Sequence, residues 1–296
     1  MLKNRFILFG LPLFLLCSLF GYLHLPSRPS SKPQVYDCFL FFNEFELLKI
    51  RLQEMSPHVD HFVLVEATET FRGAPKPLNF KENSHLFEEF KDKIIYIPLT
   101  DHFETDNAWE RERFQRAQVL QGLKGCQNTD IVLLSDLDEI VKGSRIGEIV
   151  ELITSKQTQA VICEQKMYYG YLNRYWTQWP GTVATTYKQA KKIGIKSMRR
   201  VRNQKPRALR KIGIHKVTLL PDAGWHFTSM GGRERYVEKI QSYSHREFDR
   251  PELKTEEHFT KTVEGMTLVR VDDTFPSCVQ QDRAYFEQIG FIDTAQ

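Results

Sequence analysis

Five short apolar runs punctuate the first half of the chain: Tyr36 to Phe42 (YDCFLFF), His61 to Glu66 (HFVLVE), Ile94 to Ile97 (IIYI), Ile131 to Leu134 (IVLL) and Ala160 to Cys163. Each is short enough to be a buried strand. Between them the apolar period lengthens. Leu47, Leu48, Arg51, Leu52 and Met55 follow a helical spacing after Asn43 and Glu46, and a second helix runs from Asn107 and Glu110 to about Gly122. Its apolar side is read as Phe114, Ala117 and Leu120. Both starts have the spacing of an N-cap followed by a glutamate three residues on. Ser144 opens a third helix (IGEIVELI). Strands alternating with helices predict an α/β protein with a mainly parallel central sheet, flanked by helices and joined by right-handed crossovers. After Glu164 the pattern turns aromatic and basic, with strands expected near Ile212 to Leu220 and Trp225 to Thr228 and a helix from about Arg233 to His245.

Before the first strand, Phe6 to Leu25 is an uncharged run of twenty residues behind Lys3 and Arg5. At about 1.5 Å per residue it reaches roughly 30 Å, the thickness of a bilayer's hydrocarbon core. Flanking basic residues favour a cytoplasmic N-terminus, with the body of the protein across the membrane (Golgi lumen in a eukaryote, periplasm or cell surface in a bacterium). A cleaved signal peptide is the competing reading, but no small-x-small site follows the run. Pro26 to Pro33 (PSRPSSKP) has the composition of an extended stem. The expected organisation is a tip and membrane anchor over 1–25, a stem over 26–34 and one folded domain over 35–296, divided into halves 35–164 and 165–296.

With 296 residues, 41% hydrophobic and 26% charged, the chain can bury one sizeable core. The net charge of +4 conceals an asymmetry. No Asp or Glu occurs from Gln165 to Pro221, and twelve Lys or Arg lie between Lys188 and Lys216, so the remainder nets about −8 (4 − 12). Such a segment asks for an anionic neighbour: a phosphate, an anionic acceptor or a lipid headgroup. A nucleic-acid partner is disfavoured, because the anchor places the body away from nucleic acid. Cys17, Cys38, Cys126, Cys163 and Cys278 are too widely spaced for a zinc site or a dense disulfide framework; one or two disulfides, or buried free thiols, both fit.

The sharpest chemical feature is Ser135-Asp136-Leu137-Asp138-Glu139, directly after the apolar run IVLL. Ligands of open α/β sheets sit at the carboxyl ends of strands. Alternate carboxylates placed there can share a hard cation, Mn²⁺ or Mg²⁺, that bridges diphosphate oxygens. Asn43-Glu44 and Glu66 end neighbouring strands on the same rim, with helix capping the alternative for Asn43 and solvent exposure for Glu66. Arg111, Arg113 and Arg116 lie on the preceding helix. Arg113 and Arg116 share a face, and either phosphate recognition or a salt-bridged surface accounts for such a run. Tyr168, Tyr169, Tyr171, Tyr175, Trp176 and Trp179 crowd one segment, in which sugar faces can stack or a core can pack.

Five stretches, YDCFLFFNEFELLKIRL, VDHFVLVEATETFRGAPKPLNF, WERERFQR, DIVLLSDLDEI and AGWHFTSMGGRERYVEKIQSYSH, are together similar to glycosyltransferase family 17, the N-acetylglucosaminyltransferase III type. They cover most of Tyr36 to about Arg246. The resemblance implies a GT-A type nucleotide-diphospho-sugar transferase fold, an inverting reaction, UDP-N-acetylglucosamine as donor and the β-mannose of an N-glycan core as acceptor. It places Asp136 and Asp138 in the acidic metal motif and Glu66 and Arg111 in donor-side blocks. The chain lacks the long extra segments of the animal members, so the acceptor is left open. Residues 35–164 become the donor and metal half, and 165–296 the acceptor side, with Tyr169, Tyr171 and Trp176 as acceptor-binding candidates. His226 is expected to complete the metal site, against a purely structural role. Glu234 is the candidate general base, with Glu247 and Asp222 as rivals. Two other functions stay open: transfer of a different sugar to a glycolipid or surface polysaccharide, and non-catalytic glycan binding.

Overall fold

The computed structural model describes residues 32–295. The anchor read from Phe6 to Leu25 and most of the stem lie outside them. Among the described residues no helix is long and apolar enough to cross a membrane.

Four parallel strands form one half of a nine-stranded sheet: β1 (Val35–Leu40), β2 (His61–Ala67), β3 (Ile94–Leu99) and β4 (Ile131–Leu134), in the order β3-β2-β1-β4. β1 and β4 are buried on both faces, which is why they read as unbroken apolar runs. Their alternate side chains feed two separate cores. Phe39 and Leu133 join α1 (Phe45–Met55) and α5 (Gly143–Thr154) on one face, while Cys38, Val132 and Leu134 face the other. Short α2 (Asn79–Glu82) follows β2, and α3 (Ala108–Ala117) with α4 (Val119–Gly122) connect β3 to β4.

The other half is mixed. β5 (Glu139–Val141), β6 (Ala160–Tyr169), β7 (Arg174–Thr186) and β8 (Val217–Thr228) extend the order to β4-β7-β6-β8-β5, and β9 (Thr267–Leu268) pairs with β7. β7 is antiparallel to both β4 and β6, whereas β6 and β8 run parallel. A flat sheet would part β4 from β5 by four strand spacings, about 19 Å. The five residue steps from Leu134 to Glu139 reach about 17 Å at most. The sheet therefore curls, and β5 lies back over β7, where Thr182 Oγ1 donates to the Glu139 carbonyl at 3.2 Å. At the β5–β8 contact the backbones are so close that a Cβ on Gly224 would stand 2.1 Å from the Ile140 carbonyl oxygen.

Several expectations are corrected. The aromatic segment is a hairpin of β6 and β7, and the two strands expected between Ile212 and Thr228 are one, β8. Residues 187–211, with no expected structure, form α6 (Tyr187–Ile193), α7 (Ile195–Arg200), a 3₁₀ turn at Val201–Asn203 and α8 (Pro206–Lys211). Ala190, Ile195, Met198 and Val201 seat this arm on the second core. Asn43 does not cap α1. Glu44 occupies that position and its carboxylate takes the N–H groups of Phe42 and Asn43. Asn107 does cap α3, accepting from the Trp109 N–H at 3.0 Å. The buried side of α3 carries Ala108, Arg111, Gln115 and Arg116, while Leu120 beyond it is exposed. That side faces polar loops and the acidic turn, so its residues are cationic where an apolar stripe was expected. The remaining helices are α9 (Gly232–Ser242), α10 (Glu256–Glu264), α11 (Ser277–Gln281) and α12 (Arg283–Gln288). Cys38, Cys126, Cys163 and Cys278 are free, and burial pushes the Cys163 thiol up to about 12.

Candidate active site

The acidic turn is held before any of its carboxylates is considered. Arg51 of α1, fully buried, donates to the carbonyls of Asp136 and Leu137 at 2.9 Å each and of Glu139 at 3.1 Å. Its other nitrogens reach Ser135 Oγ at 2.6 Å and both carboxylate oxygens of Asp37 at 2.6 and 2.7 Å. A guanidinium suits this position because its planar fork can serve several acceptors at once. From the opposite side the Phe227 N–H of β8 donates to the Asp138 carbonyl at 2.9 Å.

Three carboxylates project from this fixed backbone into a ring of cations. Asp136 pairs with Arg116 of α3 at 2.8 Å and with Arg199 of α7. Glu139, fully buried at the start of β5, pairs with Arg202 at 2.5 Å and Arg199 at 3.2 Å and accepts from Trp179 Nε1 at 2.8 Å. Asp138 pairs with Lys239 of α9 at 2.8 Å and lies 3.4 Å from His226 Nε2. Burial alone would raise all three carboxyls. Arg116, Arg199 and Arg202 reverse this at Asp136, Lys239 and His226 at Asp138, and Arg199 and Arg202 at Glu139, so Asp136 and Asp138 are held well below the usual carboxylate range and Glu139 is lowered. Lys239 is raised, its burial outweighed by Asp138. Four cations thus face four carboxylates, since Arg116 also pairs with Glu112 at 2.8 Å.

The sign of the pH dependence follows from those directions. Acids whose folded-state values are depressed stabilise the fold above their unfolded values and lose that contribution as protons are forced on. Unfolding midpoints are therefore expected to hold from neutrality down to about pH 4 and then fall steeply, and to fall less in Asp136→Asn. Thermal melts of both proteins from pH 7 to pH 3 check this.

Glu44 carries the opposite perturbation. Burial raises its carboxyl, Lys239 opposes, and Asp138 adds to the rise. Its Oε2 takes both backbone N–H groups, leaving Oε1 without a protein partner among the described residues.

The residues singled out in the sequence fall in distinct places. Asp138 and His226 stand together while Asp136 turns to Arg116 and Arg199, and His226 Nδ1 is buried with no hydrogen-bond partner while its ring packs on Trp179 at 5.0 Å. Glu66 is buried at the end of β2, where it accepts from the Phe80 N–H at the start of α2, from Tyr96 Oη at 2.8 Å and from Lys76 at 3.3 Å. Arg111 clasps the carbonyls of Phe71, Phe103 and Thr105 and pairs with Glu69 at 3.3 Å. Arg113 points outward to Glu110, so it and Arg116 do not work as one face. Trp176 is 52% exposed, with its ring edge-on to Tyr169 at 5.8 Å, while Tyr171 packs on Phe259. Glu234 is exposed in the first turn of α9. Five residues separate it from Lys239, which turns it about 140° around the helix from the acidic turn. Asp222 pairs with Lys142, and Glu247 with His245.

Arg51, Arg199, Arg202 and Lys239 had no place in the site read from the sequence, whereas Glu44 was placed on its rim and Trp179 in the aromatic cluster. For Arg199 and Arg202 a signal existed: an acid-free basic segment in a chain whose sharpest motif is acidic. The segment was expected to face an external anion, yet these two side chains turn inward. Among the described residues no three His, Cys, Asp or Glu side chains already stand as a metal cage.

A curled α/β sheet with an acidic turn at the carboxyl end of a central strand defines the class: a GT-A type fold. The chain belongs to glycosyltransferase family 17, whose model matches residues 11–271. Over 177 residues it is 29% identical to the beta-1,4-mannosyl-glycoprotein 4-beta-N-acetylglucosaminyltransferases of Rattus norvegicus and Homo sapiens, covering 55% of this chain. The match spans 32% of each relative's length. Among solved structures, the mannosyltransferase PcManGT from Pyrobaculum calidifontis, in complex with GDP-Man and Mn²⁺, aligns with a TM-score of 0.44 at 12% identity, covering 79% of this chain and 70% of that one. S. aureus TarS 1-349 aligns at 0.42 and 9% identity, covering 86% and 74%.

Proposed function

We propose that this glycosyltransferase moves N-acetylglucosamine from UDP-N-acetylglucosamine to a mannose-containing glycan by a single inverting displacement. It is tethered by the N-terminal segment, with its folded body across the membrane. The observation that carries this reading is the acidic turn of Asp136, Asp138 and Glu139 set among Arg116, Arg199, Arg202 and Lys239 at the carboxyl end of β4. A diphosphate leaving group needs cationic groups placed before the reaction, where they stabilise developing charge without reorganising. The curated relatives are named as N-acetylglucosaminyltransferases acting on a mannosyl-glycoprotein, which supports the choice of sugar and acceptor class.

Mn²⁺ or Mg²⁺ suits the donor set in kind. Asp136 and Asp138 offer hard oxygens, and His226 is a buried imidazole with an unused nitrogen. When bound, such a cation would neutralise charge on the departing diphosphate. The chain's own residues do the rest. Arg51 fixes the turn, Trp179 orients Glu139, and Lys239 sits between Asp138 and Thr228 Oγ1. Of the carboxylates near the turn, Glu44 best suits deprotonation of the acceptor hydroxyl, because its raised proton affinity and free Oε1 match a general base better than exposed Glu234 does. Trp176 offers an open ring face for an acceptor sugar.

The test is UDP release from a panel of UDP-sugars, with a mannose-terminated N-glycan, in Mn²⁺ and in chelator, followed by linkage analysis of the product. Release that requires UDP-N-acetylglucosamine, glycan and Mn²⁺ together is expected. Turnover of another sugar moves the assignment to a different donor, and glycan binding without any turnover overturns the enzyme reading.

A further inference from the structure

The basic arm turns two of its arginines into the acidic turn. Arg199 and Arg202 come from α7 and the 3₁₀ turn after it, and Ile195, Met198 and Val201 anchor that stretch in the second core. Their guanidinium groups are therefore placed by packing. Their side chains are only 11% and 10% exposed. Arg199 Nη2 is shared between Asp136 and Glu139, while Arg199 Nη1 is buried with no hydrogen-bond partner. A buried N–H without an acceptor is costly. An anion presenting several oxygens would supply that acceptor and still serve the other guanidinium nitrogens.

We infer that Arg199 and Arg202 form the phosphate-binding subsite for a nucleoside diphosphate, and that the protein's own Asp136 and Glu139 fill this subsite when no ligand is present. A phosphate oxygen and a carboxylate compete for the same guanidinium groups, and Arg199 competes with any divalent cation for Asp136, as Arg202 and Arg199 do for Glu139. Diphosphate binding lifts Arg199 from Asp136, leaving that carboxylate with Arg116 alone and open to a cation. By reciprocity, diphosphate and cation each strengthen the binding of the other. The identity of the anion as a diphosphate rests on the transferase reading. The pairing of the arm with the turn does not.

Mn²⁺ binding to the full-length protein in detergent, read from the free-ion paramagnetic signal, tests this without any sugar donor. In Arg199→Gln/Arg202→Gln, Mn²⁺ alone should bind roughly tenfold tighter than in the unmodified protein, within the span typical of coupled sites. UDP without metal should bind at least about tenfold weaker, and the tightening of Mn²⁺ by UDP should shrink to what direct contact between metal and phosphate supplies. Arg200→Gln, which removes an exposed charge from the same arm, should change none of these. If the double variant loses its circular dichroism signature, Arg202→Gln and Arg199→Lys separately carry the measurement. Mn²⁺ affinity that is unchanged or weaker, or metal-free UDP binding that is unchanged, overturns the inference and leaves the transferase reading standing. Absence of sugar transfer with the expected binding changes intact does the reverse.

Discussion

Asp138→Asn is expected to lower sugar transfer by about 10²- to 10³-fold, the range seen when one pre-organised electrostatic group is removed from a reaction centre. The side chain keeps its size, the turn keeps its carbonyl bonds to Arg51 and Phe227, and the fold should persist. What disappears is the negative charge between Lys239 and His226. Asp136→Asn should lose a comparable amount, because Asp136 is 39% exposed and the carboxylate most open to an incoming ligand. Steady-state kinetics across a Mn²⁺ titration checks both. A rate within tenfold of the unmodified protein in either variant would remove that carboxylate from the mechanism.

Arg51→Leu is the largest expected stability loss. Asp37 and Arg51 are both fully buried, and removing one partner of a buried pair costs roughly 3–5 kcal/mol, since the other charge is left uncompensated. In a domain of this size that corresponds to a melting temperature lower by about 10 °C. Adding Asp37→Leu should recover much of the loss, as the stranded carboxylate is then gone. A single-variant loss under about 1 kcal/mol would show that the turn's carbonyls do not depend on the clasp.

The parallel half of the sheet was legible because its strands are buried on both faces. Ile131–Leu134 is β4 as the apolar run marked it, and Tyr36 to Phe42 differs from β1 only at its ends. The acidic motif was legible for the same reason, since it follows directly from such a run. β7 was not. In its first half Trp176, Thr177 and Gln178 are exposed in succession, so no alternation is there to read. Arg51 sat within the apolar period of α1, so its burial could be read, but its purpose lay 84 to 88 residues away at the turn. The pairing of Arg199 with Asp136 spans 63 residues. Charge composition showed that the basic segment needed an anion; only the curl of the sheet showed that the anion lay within the chain.

That curl also dictates an order of assembly. β5 follows the acidic turn at once, but its only ladder partner, β8, begins some 75 residues later, and Lys239 later still. A chain emerging from the ribosome can pair β1 to β4 by local crossovers, with Arg51 and Arg116 already present, while Asp138 and Glu139 have neither β8 behind them nor Arg199, Arg202 and Lys239 beside them. Such long-separation pairings form late, because the intervening loop must close before any contact rewards it. The nascent protein therefore passes through an interval in which its acidic turn sits on a finished half-sheet with only Arg51 and Arg116 to hold it. Mutations in β8 that slow its docking would lengthen that interval without touching a single residue of the site.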